Sequence, residues 1–264
     1  DTDAGFTGKI QFGLIVRNPK IADVSRSNGF ESDNNADAPN QQPVTAPVFS
    51  NVTIVGPVGQ DPAFVNTSAY IDGGVYNPNN GSKLGQFQAA IQIRRGSNLS
   101  LYNSIAVGFP VGIAICNDKG SQTQEAATAG TIRLKNNIFA AMTILGTDKD
   151  GSYKDSLSTD ATVFIKSAPE SFSSTFFKQT ANNNQLLTAL SAVMLKQPNS
   201  LVSGANWAPL AGSPALNKTG LFTDTKVSDS FFNNVTFIGA FRSDAATDNW
   251  TAKWSNFDPQ NTAY

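Results

Sequence analysis

One short pattern occurs four times along the chain: Phe49-Ser-Asn51-Val-Thr-Ile-Val-Gly56, Leu101-Tyr-Asn103-Ser-Ile-Ala-Val-Gly108, Leu134-Lys-Asn136-Asn-Ile-Phe-Ala-Ala141 and Phe232-Asn-Asn234-Val-Thr-Phe-Ile-Gly239. In each copy a large apolar residue stands two before an Asn, and a small residue stands five after it. That reads as strand, corner, strand. Asn tolerates the left-handed backbone of a sharp corner, and its amide bonds readily to an identical amide stacked above or below. The repetition therefore predicts a solenoid whose coils are held in register by stacked Asn side chains, with Phe49, Leu101, Leu134 and Phe232 pointing inward.

Composition agrees with many tight corners. The chain has 21 Gly and 13 Pro, and its polarity comes from Asn, Gln, Ser and Thr rather than from charge. Charged residues are 15% of the 264 and the formal net charge is −1, with Lys and Arg scattered, which argues against nucleic acid or an anionic membrane surface as partner. Histidine is absent, which removes the commonest general base and zinc ligand. The one cysteine, Cys116, lies in the apolar run Val111-Gly-Ile-Ala-Ile-Cys116, so no internal disulfide can form. No apolar stretch approaches the roughly 20 residues of a membrane-spanning helix, so no transmembrane segment is expected. Any chemistry must run on carboxylates, Lys, Arg, Tyr or a hard metal ion.

Along the chain, residues 9 to 18 read as a strand ended by Pro19, and strands resume at Ala89-Ala-Ile-Gln-Ile93 and Leu99-Ser-Leu101. Polar loops fall at 25 to 47, 56 to 84 and 117 to 130. Leu186, Leu187, Leu190, Val193 and Met194 have helical spacing before Pro198, which predicts one inserted helix over about 183–197. Nothing in the spacing forces a boundary, so residues 1–264 are expected to form one β domain.

Several stretches resemble a family of Bacteroidota-type surface proteins: Asp1-Thr-Asp-Ala-Gly-Phe-Thr-Gly-Lys-Ile-Gln-Phe12, Ser27-Asn-Gly-Phe-Glu-Ser-Asp-Asn34, Pro47-Val-Phe-Ser-Asn-Val-Thr-Ile-Val-Gly-Pro57 and Trp250-Thr-Ala-Lys-Trp-Ser-Asn-Phe-Asp-Pro-Gln-Asn261. The resemblance covers nearly the whole chain. It implies a secreted or lipid-anchored right-handed β-helix in which these motifs form the C-terminal half, after an upstream half with the export signal and first coils. Trp207-Ala-Pro-Leu-Ala-Gly-Ser-Pro-Ala-Leu216 is similar to the closing-coil phrase of extracellular β-helices. The resemblance carries no catalytic residues with it. Together the readings predict an all-β chain, a right-handed parallel β-helix with long loop insertions and one inserted helix, at the cell surface and associated with the outer membrane.

Three groups of residues are candidate sites. Glu31, Asp33 and Asp37, with Asn34 and Asn35 between them, offer the closely spaced oxygens that suit Ca²⁺, which takes six to eight oxygen ligands. A solvated, Asn-capped loop and a catalytic carboxylate pair are the other readings of the same segment. Arg94 and Arg95 end a strand, where one guanidinium would clamp the carboxylate of an acidic sugar or form a salt bridge to a neighbouring coil. Strand alternation sends the two to opposite faces if the strand continues. Trp250 and Trp254, with Phe257, would either stack on sugar rings or cap an open end of the solenoid.

The function expected is non-catalytic: a surface scaffold or binding component, with a glycan, an outer-membrane protein or the upstream half as partner. The alternative is a polysaccharide lyase or a glycoside hydrolase. A lyase needs a Lys or Arg base with an ion on the uronate carboxylate, and a hydrolase needs two carboxylates across a groove. Neither set is located by spacing.

Overall fold

Asn51, Asn103 and Asn136 all take left-handed backbone, with φ of 57°, 50° and 58°, and each bends the chain between two runs of strand. The computed structural model describes residues 1–71, 85–155, 170–199, 204–252 and 254–257. The strands are β1 (Lys9–Val16), β2 (Phe30–Ser32), β3 (Val48–Val55), β4 (Ala89–Arg94), β5 (Ser100–Tyr102), β6 (Ile105–Val107) and β7 (Val111–Cys116). They continue with β8 (Leu134–Lys135), β9 (Ile138–Ala140), β10 (Ile144–Thr147), β11 (Gln185–Leu187), β12 (Leu195–Gln197) and β13 (Asn206–Pro209). Among the described residues four short helices lie between them: α1 (Pro57–Gln60), α2 (Ser68–Ile71), α3 (Thr123–Thr128) and α4 (Phe172–Phe177). No helix among the described residues is long and apolar enough to cross a membrane.

β1 and β3 run through the corner unbroken, whereas later circuits split there into β5 and β6, then β8 and β9. One sheet has the order β11-β9-β6-β3-β5-β8 with β1 beside β3, and a second has β10-β7-β4-β2. Every pairing in these two sheets is parallel. The chain visits the sheets in turn, so the inner strands are flanked by strands from the circuits before and after: Val48 faces Lys9 on one side and Ser100 on the other. Phe49, Leu101 and Leu134 stack in register and join Ile54, Ile91, Ile93, Ile113, Ile115 and Phe139 in one apolar interior.

Stacked amides hold the corners together. Asn103 Nδ2 donates to Ser50 Oγ at 3.0 Å, Asn136 Nδ2 to Asn103 Oδ1 at 3.2 Å, and Asn183 Nδ2 to Asn136 Oδ1 at 2.8 Å. Three of the four expected Asn residues therefore occupy corners. Asn234 does not: it is exposed, and Phe232 is buried in an outer cluster instead of the interior. The next corner is Asn183, with φ of 50°, inside the stretch expected to be helical.

The inserted helix over 183–197 is thus replaced by β11, a 3-10 turn at Leu190–Val193, and β12. Left-handed backbone at Asn183 and Met194 interrupts any α-helix there. An isolated helix of that length is marginal in water, and pairing of β11 onto β9 supplies what propensity alone does not. The actual helix at this end is α4, which the sequence reading missed. It starts on Ser171, whose side chain accepts the Ser174 amide, and it pushes Phe176 and Phe177 into the interior.

The C-terminal segment lies along the side of the first sheet. Trp207, Leu221, Phe222, Phe232, Ile238 and Phe241 cover the outward Val48, Val55, Tyr102, Ile105 and Ile138. Asn51 Nδ2 donates to Phe237 O at 2.8 Å and the Gly239 amide to Asn103 O at 2.8 Å, so the corner ladder also anchors this cover.

Asp224 fastens the cover electrostatically. It accepts from Tyr102 Oη at 2.9 Å and from Arg133 Nη1, and lies 3.0 Å from Lys135 Nζ. Burial works to raise its pKa, but hydrogen bonds from the Lys226 amide, Lys135, Tyr102 and Arg133 outweigh that and hold it at about 2. A carboxylate with a depressed folded-state pKa stabilises the fold above its unfolded value of about 3.9, and this is lost as pH falls toward the folded value. Melting temperature is expected to fall between about pH 4 and pH 2, and Asp224→Asn to lose about 1–2 kcal/mol at pH 7 while flattening that acid limb. An acid limb of unchanged steepness in the variant would assign it to other carboxylates.

Candidate functional site

The second sheet carries a dense charge cluster on its outer face. Phe30, Ile91, Ile93, Ile113 and Ile115 fill the interior, so strand alternation turns Glu31, Gln92, Ala114, Arg94 and Cys116 outward. Register places Glu31 beside Gln92, and Arg94 beside Cys116. The segment after β10 folds back over this face and brings Asp150 onto Gln92 Nε2 at 3.1 Å and Arg94 Nη1 at 2.7 Å.

Arg94 is the centre of the cluster and is only 7% exposed. Its Nε donates to Asp33 Oδ1 at 2.8 Å, its Nη2 bonds Glu31 Oε1, and its Nη1 takes Asp150. Burial opposes the charged guanidinium, but the hydrogen bond it donates to Asp33 and the charges of Asp33, Glu31 and Asp150 outweigh it, and its pKa is raised above the ordinary value. Arg94 stays protonated and is no base.

Arg95 joins the same cluster. β4 ends at Arg94 and Arg95 turns to φ of 52°, so the alternation expected to separate the two side chains stops there. Both reach Asp33: Arg95 Nη1 lies 2.7 Å from Asp33 Oδ2, and its Nε is 3.4 Å from Asp118 Oδ2. Arg26 approaches Asp150 at 3.4 Å. An amide relay borders the charges, with Asn28 Nδ2 donating to Gln92 Oε1 and Gln92 Nε2 to Gln88 Oε1, both at 3.3 Å.

Glu31, Asp33, Arg94 and Arg95, read from the sequence as two separate candidates, thus form one group. Asp37 stays apart in an exposed turn, where Asn35 Oδ1 accepts its amide at 2.9 Å. As arranged, Glu31 and Asp33 bond guanidinium groups, and no cluster of three or more Asp, Glu, His or Cys suited to a metal occurs among the described residues. Asp118 and Asp150 were missed by sequence reasoning. Neither belongs to a local motif, and only the register between circuits brings them to the arginines.

Trp250 and Trp254 lie elsewhere, on the segment that covers the first sheet. Trp250 stacks on Phe241 with ring centres 5.3 Å apart, and Trp254 on Trp250 at 6.1 Å. Trp250 Nε1 donates to Ala240 O at 2.8 Å, and Trp254 is 71% exposed. The two make no contact with the arginine cluster, so the four residues proposed for ligand binding do not share one site. Phe257 packs edge-on against Trp207, so this aromatic row belongs to the lateral cover rather than to an end of the coil.

The description of the family model that matches residues 1–186 is a pectate-lyase-like β-helix domain. The matched region ends within β11, where the parallel circuits end, and it leaves the lateral cover outside. No curated protein and no solved structure shows significant similarity to the chain. With parallel circuits, an Asn-cornered core and a family match over well more than half its length, the chain belongs to the pectate-lyase-like β-helix family.

Proposed function

We propose that this chain is a right-handed parallel β-helix that acts without catalysis at the cell surface, as a scaffold or binding component for glycans or as a subunit of an outer-membrane assembly. The observation that carries this reading is the saturation of Arg94, whose guanidinium nitrogens are taken by Glu31, Asp33 and Asp150. A lyase needs a group that gives up and takes a proton near neutral pH, and a hydrolase needs one carboxyl that protonates the leaving group. Arg94 is locked in its charged form and its carboxylates are held by it. The resemblance to Bacteroidota-type surface proteins supports export and supports placing this chain in the C-terminal half of a longer protein.

The purified chain is expected to give no turnover on a panel of uronate and neutral polysaccharides, read by ultraviolet absorbance of unsaturated products and by reducing ends. Cleavage abolished by Asp33→Asn with the fold intact would overturn the reading in favour of a carbohydrate-active enzyme. A calcium role for Glu31, Asp33 and Asp37 requires displacement of Arg94 and would show as a melting temperature lowered by chelator.

The free edge of β1 supports a partner in strand pairing. β1 pairs only with β3 among the described residues, and Ile10 and Phe6 beside it are each 41% exposed. Phe12 has φ of 65°, so the edge already carries the corner that a further parallel circuit would match. An unpaired edge of this kind invites strand addition. Residues 1–264 alone are expected to self-associate in light scattering, through this edge, unless a covering segment is supplied. A stable, well-folded monomer across the concentration range would count against a missing cover.

A further inference from the structure

We propose that the cleft between residues 39–44 and α3 is a binding site for a neutral saccharide, a step that rests on the binding-component reading and assigns it a place. The cleft holds about 380 Å³ and is lined by Pro39, Asn40, Gln42, Val44, Gly96, Asn98, Gln122, Glu125, Ala126 and Ala129. That volume is at the lower end of the roughly 300–1,000 Å³ of small-molecule sites, the scale of one or two sugar rings.

Many carboxamides of this fold are used internally: Asn51, Asn103, Asn136 and Asn183 in the corner ladder, Asn28, Gln88 and Gln92 in the relay. The side chains of Asn40, Gln42, Asn98 and Gln122 make no hydrogen bond to any other described residue. Four carboxamides thus converge on one cavity with donors and acceptors unspent. A carboxamide donates and accepts at adjacent atoms, which matches the alternating demands of vicinal hydroxyls. Pro39, Val44, Ala126 and Ala129 supply apolar contact for the C–H face of a ring. Glu125 is the one ionisable lining residue, and its charge disfavours uronates. None of the lining residues lies in a strand, so the cleft offers hydroxyls a match and offers a peptide backbone no ladder.

The walls are fixed before any ligand arrives. Buried Asn34 donates to Pro39 O at 2.9 Å and Gln41 O at 2.8 Å and accepts the Thr45 amide at 2.8 Å, which sets the loop and leaves Asn40 and Gln42 facing out of it. On the other wall, the Gly96 amide donates to Thr123 Oγ1 at 3.1 Å and Gln124 Nε2 to Ile115 O at 2.8 Å, tying α3 to the turn after β4 and to β7. Gly96 has φ of +81°, and a Cβ there would stand 2.2 Å from Pro39 O. Only glycine lets the two walls approach this closely. A preformed site loses little affinity to ordering of its own groups.

The test uses the ¹⁵N-labelled chain and four neutral disaccharides, cellobiose, maltose, lactose and mannobiose, with digalacturonate as the charged comparison. At least one neutral disaccharide is expected to shift the side-chain NH₂ resonances of Asn40, Gln42, Asn98 and Gln122. The double variant Gln42→Ala, Gln122→Ala is expected to bind it about tenfold or more weakly at unchanged melting temperature, since both side chains are exposed and unbonded. Digalacturonate is expected to bind less tightly than the neutral sugar. Binding that moves only Trp250 and Trp254 would overturn the cleft and leave the binding-component reading standing. Failure of all the probes to shift the four amides, or full affinity in the double variant, overturns the cleft; absence of glycan binding anywhere removes the glycan reading as well.

Discussion

Arg94→Ala is expected to cost about 3 kcal/mol of stability at neutral pH, read as a lower midpoint in urea unfolding at unchanged slope. The loss does not come from three salt bridges added together. Removing the guanidinium leaves Glu31, Asp33 and Asp150 facing one another at a partly buried surface, with side-chain exposures of 29%, 15% and 23%. Uncompensated charge in such a place costs about 3–5 kcal/mol when buried, and the remaining solvent contact sets the expectation at the low end. Arg94→Lys should fall between the parent and Arg94→Ala, because one ammonium cannot reach three carboxylates in a planar fork. A change below about 1 kcal/mol for Arg94→Ala would mean that water screens the cluster as it does an ordinary surface ion pair.

The same cluster marks how far a sequence carries this kind of reasoning. Glu31 with Asp33 and Arg94 with Arg95 stand out locally, as an acidic run and as a basic pair ending a strand. Their meeting is not local, since Arg94 and Asp33 are 61 residues apart, and what joins them is the register that sets Glu31 beside Gln92. Asp150 arrives from a later circuit, over a sheet edge no motif announces. Corners were legible for the opposite reason: left-handed backbone is demanded of one residue at a time, and Asn51, Asn103 and Asn136 answer it where they stand. Asn234 repeats the words without the setting, because no parallel circuit passes beside it. The cleft amides escaped notice for want of any pattern. Asn40, Gln42, Asn98 and Gln122 are common loop residues until the fold leaves them unpaired around one space.

Two leucines turn that contrast into a measurement. Leu101→Ala is expected to cost about 2–5 kcal/mol, whereas Leu186→Ala is expected to stay within about 0.5 kcal/mol. Leu101 has no exposed surface and is held in register between Phe49 and Leu134 in the interior stack. Its neighbours sit on strands pinned by the Asn103 and Asn136 amides, so the surroundings cannot collapse into the space left behind, and the cavity adds to the lost transfer energy. Leu186 belongs to the stripe that helical spacing assigned to the core. On β11 its register with Phe139 puts the side chain on the interior side, but this is the last circuit among the described residues and Leu186 is 47% exposed, so shortening it removes little buried area. Equal losses at the two positions would restore the helix reading and place Leu186 in contact with a core. A near-zero loss at Leu101 would mean that the stacked interior does not carry the stability of the circuits.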